Sequence, residues 1–408
     1  MTDMTVKQAG AIVAALYKQA TGQTIPAPLD LSGYISVATT TAQYGWDMLY
    51  RALSQMWGRT IIAIRPYRGA YLDMDFDTDA WSNAERKVSY ASRFPGDNAA
   101  YAYPVAYDAN EDPATGDGLS VDQWKINKDK PVQTVFYGRS TYSYTRTRFL
   151  NQLESAFYTP ADLLRFNAGA VQSLDNDREG WRESQRRGML VNAIGALSDD
   201  DTQNNSGRVI HLLTEYNEAT GQDLDAEAVR LPANYAPFMR WVYGRMGEIR
   251  DRMRENNILY TTQLSALTSA GYCVLRHTPD ADLRIKVTSS ELHHLRASVL
   301  STTYNADYLS LEGVEAVPYW QNPDAPDEIQ VKPVYMGADG QETQGEAVTV
   351  SDIFGVMYDR DFVGCTTVRS KMTSSPLNAS GEYYNDFYKE IVKTRFDMTE
   401  KAVLLLLD

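Results

Sequence analysis

Cysteine, histidine and basic residues are what this chain is short of. Two cysteines, Cys273 and Cys365, in 408 residues give no disulfide framework and fit a reducing cytosol. Both lie beside apolar residues (Tyr272, Val274 and Val363), where an inert buried thiol is expected rather than a nucleophile. Of the four histidines, His293 and His294 are adjacent. Neighbours on a helix point about 100° apart, so this pair cannot clamp one zinc as an i, i+4 pair would. His211 and His277 bring no nearby Cys or second His. With 39 Lys and Arg against 53 acids the net charge is −14, which argues against a general nucleic-acid binder.

Long apolar runs are also missing. Residues 11–17 are too short and too interrupted for a membrane span, and Leu404, Leu405, Leu406 and Leu407 make only four residues. Residues 1–10 lack the basic-then-apolar pattern of a signal peptide, so a soluble chain without a membrane partner is expected. Gly-x-Ser-x-Gly, the phosphate-binding loop and Gly-x-Gly-x-x-Gly do not occur. A carboxylate pair for glycoside hydrolysis could be drawn from 53 acids, but no spacing selects one. Asp73, Asp75, Asp77 and Asp79 invite a calcium-loop reading, yet Thr78 and Ala84 stand where that loop needs Gly and Glu. On a strand these acids share one face, with Leu72, Met74 and Phe76 opposite, and would discourage wrong pairing. No catalytic residue, cofactor or metal ligand is assigned, and the chain is not expected to be an enzyme.

What is present is 43% hydrophobic and 11% aromatic, enough for two or three cores or one multi-lobed subunit. Leu49, Leu53, Met56 and Trp57 recur at helical spacing, and residues 60–64 read as a strand stopped by Pro66. Residues 66–135 are rich in Tyr, Asp, Gly and Pro, with a punctuated excursion at 108–118. Thr159, Pro160 and Asp162 predict a helix start. A stripe of Leu163, Phe166, Ala170, Leu174 and Trp181 continues through Leu190, Ile194 and Leu197 to a stop at Ser198-Asp199-Asp200-Asp201. Gly169, Gly180 and Gly188 each weaken it by about 1 kcal/mol, so breaks are allowed.

Downstream, Phe238, Val242, Met246, Ile249 and Met253 predict a helix; residues 283–287 a strand with alternating faces; Ser290 a cap for Leu292, Leu295 and Val299; and 314–320 a strand before the Pro323–Pro326 turn. Arg178, Arg182 and Arg186 repeat at i, i+4, and Arg245, Arg250, Arg252 and Arg254 crowd a second helix with Glu248 and Asp251. Solvated faces are expected for both sets, with contacts across subunits as the second reading.

The closing stretch has a distinctive order. Ile353, Phe354, Val356 and Met357 lead into Tyr358-Asp359-Arg360-Asp361-Phe362; a turn cluster follows at 374–381; then come Tyr383, Tyr384, Phe387 and Tyr388, and finally Arg395-Phe396-Asp397-Met398. Tyr384, Tyr388, Val392 and Phe396 are spaced as on a helix, although 391–402 could equally run as a strand. This order resembles the closing segment of major capsid proteins of small phi29-like tailed phages (podoviruses), which share the HK97-type capsid fold. The resemblance covers about residues 42–95, 131–200 and 352–408.

The resemblance implies an α+β, HK97-like capsid fold. Its parts would be an N-terminal arm and first strand at 1–65, an extended loop at 66–135, a peripheral domain with spine helix at 136–204, an axial α/β domain at 205–350, and a return to the peripheral domain at 351–408, in strands. It further implies a self-assembling major capsid protein forming hexamers and pentamers of an icosahedral bacteriophage shell. That shell would be assembled in the bacterial host cytoplasm and enclose double-stranded DNA without sequence-specific contacts. The arm is too short for a fused scaffold of domain size, so a separate scaffolding protein is implied, together with a portal protein. An extended loop cannot bury its own faces, and Tyr71, Tyr90, Phe94, Tyr101 and Tyr103 are expected to be exposed there against a neighbouring subunit. Some phages of this fold weld subunits by a Lys-Asn isopeptide bond. Lys87, Lys125, Lys128 and Lys130 with Asn378 or Asn385 supply the residue types but no selecting motif, and noncovalent contacts are expected. An encapsulin-like compartment and an acidic carbohydrate-active enzyme are the alternatives.

Overall fold

The computed structural model describes residues 67–76, 85–93, 130–137, 139–149, 160–300 and 314–408, with Ala14, Lys18 and Trp124; for 160–171 and 298–300 it describes backbone alone. The chain divides into two compact units, residues 1–83, 137–188 and 364–394, and residues 84–136, 189–363 and 395–408.

In the first unit, strands β3 (Arg139–Phe149), β12 (Val363–Ser374) and β13 (Tyr383–Phe396) form a sheet in the order β12-β13-β3. β13 pairs antiparallel with β3 from Tyr383↔Phe149 to Lys393↔Arg139. Period-two alternation buries Tyr384, Asp386, Tyr388, Glu390 and Val392 on one face. The long helix α1 (Pro160–Asn204) covers that face: Trp181 packs 4.9 Å from the Tyr142 ring, and Arg182 pairs with buried Glu390. The expected start at Pro160 holds. No break occurs at Gly169, Gly180 or Gly188, and the helix runs through the Asp199–Asp201 stop. Those acids do not end it because each meets donors: Tyr335 Oη on Asp199, Thr262 Oγ1 and Asn204 Nδ2 on Asp200, Ser206 Oγ and the Arg208 N–H on Asp201. The turn that follows uses Asn205 and Gly207, both at positive φ.

The second unit is built on a five-stranded sheet of β4 (Val209–His211), β14 (Ala402–Leu406), β11 (Ile353–Asp359), β5 (Leu283–Thr288) and β6 (Val314–Val317), in that order. β11 is antiparallel to both neighbours, and the outer pairs are parallel. Helices α2 (Leu212–Thr220), α4 (Pro232–Arg254) and α6 (Ser289–Leu300) bury their stripes against it, while α3 (Ala226–Val229) and α5 (Ser265–Thr268) are single turns. The predicted stripe Phe238, Val242, Met246, Ile249, Met253 is fully buried. β5 differs from the alternating expectation: as an inner strand it buries both faces, Lys286 included, whose ammonium pairs with Glu315. Small pairs β1 (Glu85–Ala91) with β2 (Lys130–Phe136), β7 (Ile329–Val331) with β10 (Val348–Val350), and β8 (Val334–Met336) with β9 (Glu342–Gln344) complete the unit.

The closing segment is therefore strands, as expected, but it does not all return to one place. Residues 364–394 belong to the first unit, whereas β11 and β14 are central in the second, because β14 is apolar throughout, β11 is apolar up to its closing Asp359, and both need cover on two faces.

The turn joining β13 to β14 is held by buried charge. Arg208 is wholly buried and donates to the carbonyls of Met398, Glu400 and Ala402 and to Thr262 Oγ1, with Phe362 below its guanidinium. Burial lowers Arg208 to about 10, opposed by Asp200, Asp397 and Asp201. Lys401 caps the C-terminal end of α4, donating to the carbonyls of Arg252, Met253 and Glu255 and to Asn257 Oδ1.

Arg208→Met strands three buried carbonyls and is expected to cost roughly 3–5 kcal/mol, read as a lower urea midpoint of the isolated subunit. Burial lowers Lys401 from 10.5 to about 8. Between those values the unfolded chain binds more protons than the folded one, so this group makes folding more favourable as pH rises through that window. Wild type should gain stability from pH 8 to 10 relative to Lys401→Met; parallel curves would refute this.

Candidate assembly surfaces

The β1–β2 hairpin presents a built surface. Register pairs Val88 with Gln133 and Tyr90 with Pro131, and alternation turns Arg86, Val88 and Tyr90 outward while Lys87, Ser89 and Ala91 face in. Val88 is 57% exposed and Tyr90 67%. Two strands cannot cover such a face themselves.

Its root is clamped. Lys87 Nζ lies 2.8 Å from Asp397 Oδ2 and also pairs with Glu400. Arg276 reaches Glu400 Oε1 at 2.8 Å and Ser89 Oγ at 2.7 Å. The Ser92 and Cys273 backbones exchange hydrogen bonds of 2.7 and 2.9 Å, and Lys130 sits 4.5 Å above the Tyr272 ring. Burial would raise the Asp397 carboxyl, but the Lys87 charge and donors from Lys87 and Thr399 hold it below the usual range. Glu400 goes the other way: burial raises it, and Lys87 and Arg276 offset only part. The clamp fixes the direction in which Val88 and Tyr90 point.

Of the five expected contact residues, Tyr90 is exposed as anticipated. Tyr71 is not: it is 1% exposed, sits at φ 65 before a 3-10 helix (Leu72–Met74), and packs beneath the Arg187 guanidinium, so its ring is spent inside its own chain. Phe94, Tyr101 and Tyr103 lie outside the described residues, as do Lys125 and Lys128. Val88, exposed on the same face as Tyr90, was not among the five, although the period-two alternation of residues 85–91 carried the signal.

The arginine and aspartate readings need correction. Arg186 is buried and bidentate to Asp75, with a third bond to Glu179. Arg182 pairs with Glu390 and Glu179, and Arg178 lies 3.4 Å from Asp175. This face is not the solvated one expected; its guanidinium groups are paired from within the chain. Asp73 and Asp75 do not line a strand face, since the 3-10 turn intervenes and Asp75 is turned to Arg186. Asp77 and Asp79 lie outside the described residues. The second arginine set does form surface pairs, Arg245 with Glu248 and Glu215, Arg252 with Glu248, and Arg250 with Asp280.

Cys273 and Cys365 are free and buried, and burial pushes the Cys365 thiol up to about 12, so it is inert as expected. His294 packs edge-on against Tyr235 and His211 meets Asp408. Among the described residues no group of three His, Cys, Asp or Glu could hold a metal, and no helix is long and apolar enough to cross a membrane.

Comparison with known proteins agrees with a surface-driven role. A chain in the capsid structure of Staphylococcus phage Andhra superposes with a TM-score of 0.50 at 10% identity, covering 85% of this chain and 86% of that one. A chain in the structure of head fiber and inner core protein gp22 of native bacteriophage P68 does so at 0.50 and 12% identity, covering 84% and 85%. At such identities the likeness speaks for the fold, a mixed helix and strand architecture found in phage capsids. No curated protein matches. The family model described as Phi29-like phage major capsid protein matches residues 106–405. That span takes in β2, β3, the long helix, the five-stranded sheet and nearly all of the closing strands, and the chain accordingly belongs to the Phi29-like phage major capsid protein family, whose members build shells.

Proposed function

We propose that this subunit adopts the HK97-type arrangement and forms hexamers and pentamers of the icosahedral shell of a podovirus-like tailed phage, enclosing double-stranded DNA in the virion. The observation that carries the reading is the clamped hairpin with Val88 and Tyr90 outward, an apolar face that a neighbouring copy would cover. In this reading residues 1–65 are the N-terminal arm, 66–135 the extended loop, and 136–204 the peripheral domain with α1 as its spine. Residues 205–350 are the axial domain, and 351–408 return to the peripheral domain except for β11 and β14. A separate scaffolding protein and a portal protein are the further partners. The shell is put together in the host cytoplasm.

Lys87 is engaged by two carboxylates, Asn378 by Tyr383 and Asn385 by Thr147, which supports noncovalent joining of subunits.

Co-expression with the scaffold should yield uniform DNA-competent shells in negative stain; persistent monomers would refute the reading, and particles filled with protein cargo would point to a compartment. Val88→Ser with Tyr90→Ser should leave subunit stability within about 0.5 kcal/mol, because both side chains are exposed. The same pair should raise the concentration needed for assembly at least about tenfold, the equivalent of some 1.4 kcal/mol per contact. Normal assembly would remove these residues from the interface. Boiled particles should run as single subunits on SDS gels, and a ladder of covalent multimers would contradict noncovalent joining.

A further inference from the structure

The sheet of the first unit separates its charges by face. Its three strands carry eight Lys and Arg against two carboxylates, Asp386 and Glu390, in a chain whose net charge is −14. Both carboxylates are buried on the face under α1, Asp386 with Arg148 and Glu390 with Arg182. Ser370 and Ser374 bond to Tyr388 and Asp386 on that side, so alternation along β12 sends Arg369, Lys371 and Thr373 to the opposite face. The opposite face of β13 carries Asn385, Phe387 and Lys389, and register sets Thr147, Thr145 and Ser143 of β3 beside them. Arg369, Lys371, Lys389 and these three hydroxyl residues are exposed. Thr147 Oγ1 donates to Asn385 Oδ1 at 2.7 Å, which leaves Ser143 and Thr145 as the hydroxyl donors of β3 on this face. None of the three cations forms an ion pair with a described residue, and apart from the buried Asp386 and Glu390 the nearest acid along the chain, Glu382, lies in the turn between β12 and β13.

Among the described residues, this face offers three cations without an ion pair, beside the hydroxyls of Ser143 and Thr145 and with no carboxylate, which is complementary to a string of phosphates. Arg, Lys, Ser and Thr are the side chains that contact nucleic-acid backbones, and such contacts carry no sequence information. An acidic protein partner would fit the cations, but it would leave the Ser143 and Thr145 hydroxyls without a role. We propose that the outer face of the β12-β13-β3 sheet is a sequence-independent binding surface for the sugar-phosphate backbone of double-stranded DNA. It rests on the reading that the shell encloses DNA, and it specifies where wall and genome touch. The overall acidity keeps that contact weak, so it can release as the duplex slides.

The test uses the full chain and a random-sequence duplex, with anisotropy titrations at several salt concentrations and shell formation scored separately. The variant is Arg369→Gln with Lys371→Gln and Lys389→Gln; its control, Arg230→Gln with Arg252→Gln and Arg254→Gln, makes the same charge change elsewhere on the surface. Wild type and control should bind alike. The sheet variant should lose at least tenfold in affinity, and the slope of log K on log salt should fall by about 2.7, three phosphate contacts at roughly 0.9 each. It should still form shells. Unchanged binding by the sheet variant, an equal loss in the control, or no duplex binding by wild type would each overturn the assignment. Loss of shells with binding intact would give this face to a neighbouring copy instead. Failure of wild type to form shells would count against the capsid reading without touching the binding result.

Discussion

The second unit depends on one buried guanidinium. Arg208 gathers the carbonyls of Met398, Glu400 and Ala402, which spreads one charge over three main-chain dipoles and sets the path of the turn between β13 and β14. That path has three consequences. It delivers the apolar strand β14 into the sheet beside β11, where it is wholly buried. It aims Lys401 at the carbonyls ending α4. It also faces Asp397 and Glu400 towards Lys87, so the same few residues that complete the core set the direction of the β1–β2 hairpin. Core, helix end and hairpin share one support.

Buried charge of this kind is a costly way to gain stability. Desolvation of each ion takes back much of the Coulomb attraction, and apolar residues of equal volume often do as well or better. What ion pairs supply is geometry, since bidentate arginine accepts few partners at few angles. Arg186 on Asp75 and Arg148 on Asp386 repeat the pattern in the first unit. A subunit that must present the same contact face in every copy gains from fixed angles more than from added stability, because small angular errors accumulate around a closed shell.

Legibility in the sequence followed the range of the interaction. The α4 stripe, the start of α1 and the strands of the closing segment rest on neighbours within a turn or two, and period and capping residues revealed them. Arginines 178, 182 and 186 were misread because spacing shows which residues share a face but not what covers it. Asp75 lies 111 residues from Arg186, and Asp397 310 from Lys87. Tyr71 failed for the same reason: an aromatic in a polar stretch looks exposed until a distant helix supplies Arg187. The acids at 199–201 looked like a stop because their donors, Tyr335, Thr262 and Arg208, come from later chain.

Net charge misleads in a related way. A value of −14 describes the far field of the subunit, but phosphate contacts are decided within a Debye length of roughly 10 Å, where the arrangement of individual groups counts. On β13 the alternation Asn385, Asp386, Phe387, Tyr388, Lys389, Glu390 looks nearly neutral as a string. Folded as a strand, it sorts its two acids to the buried face and its lysine to the open one, and β3 adds hydroxyls in register. Charge segregation is therefore a product of strand periodicity: a helix at this segment would have placed Asp386, Lys389 and Glu390 within one turn of each other and cancelled the field. The same strand assignment that links this segment to a capsid fold thus creates a cationic face on an acidic protein.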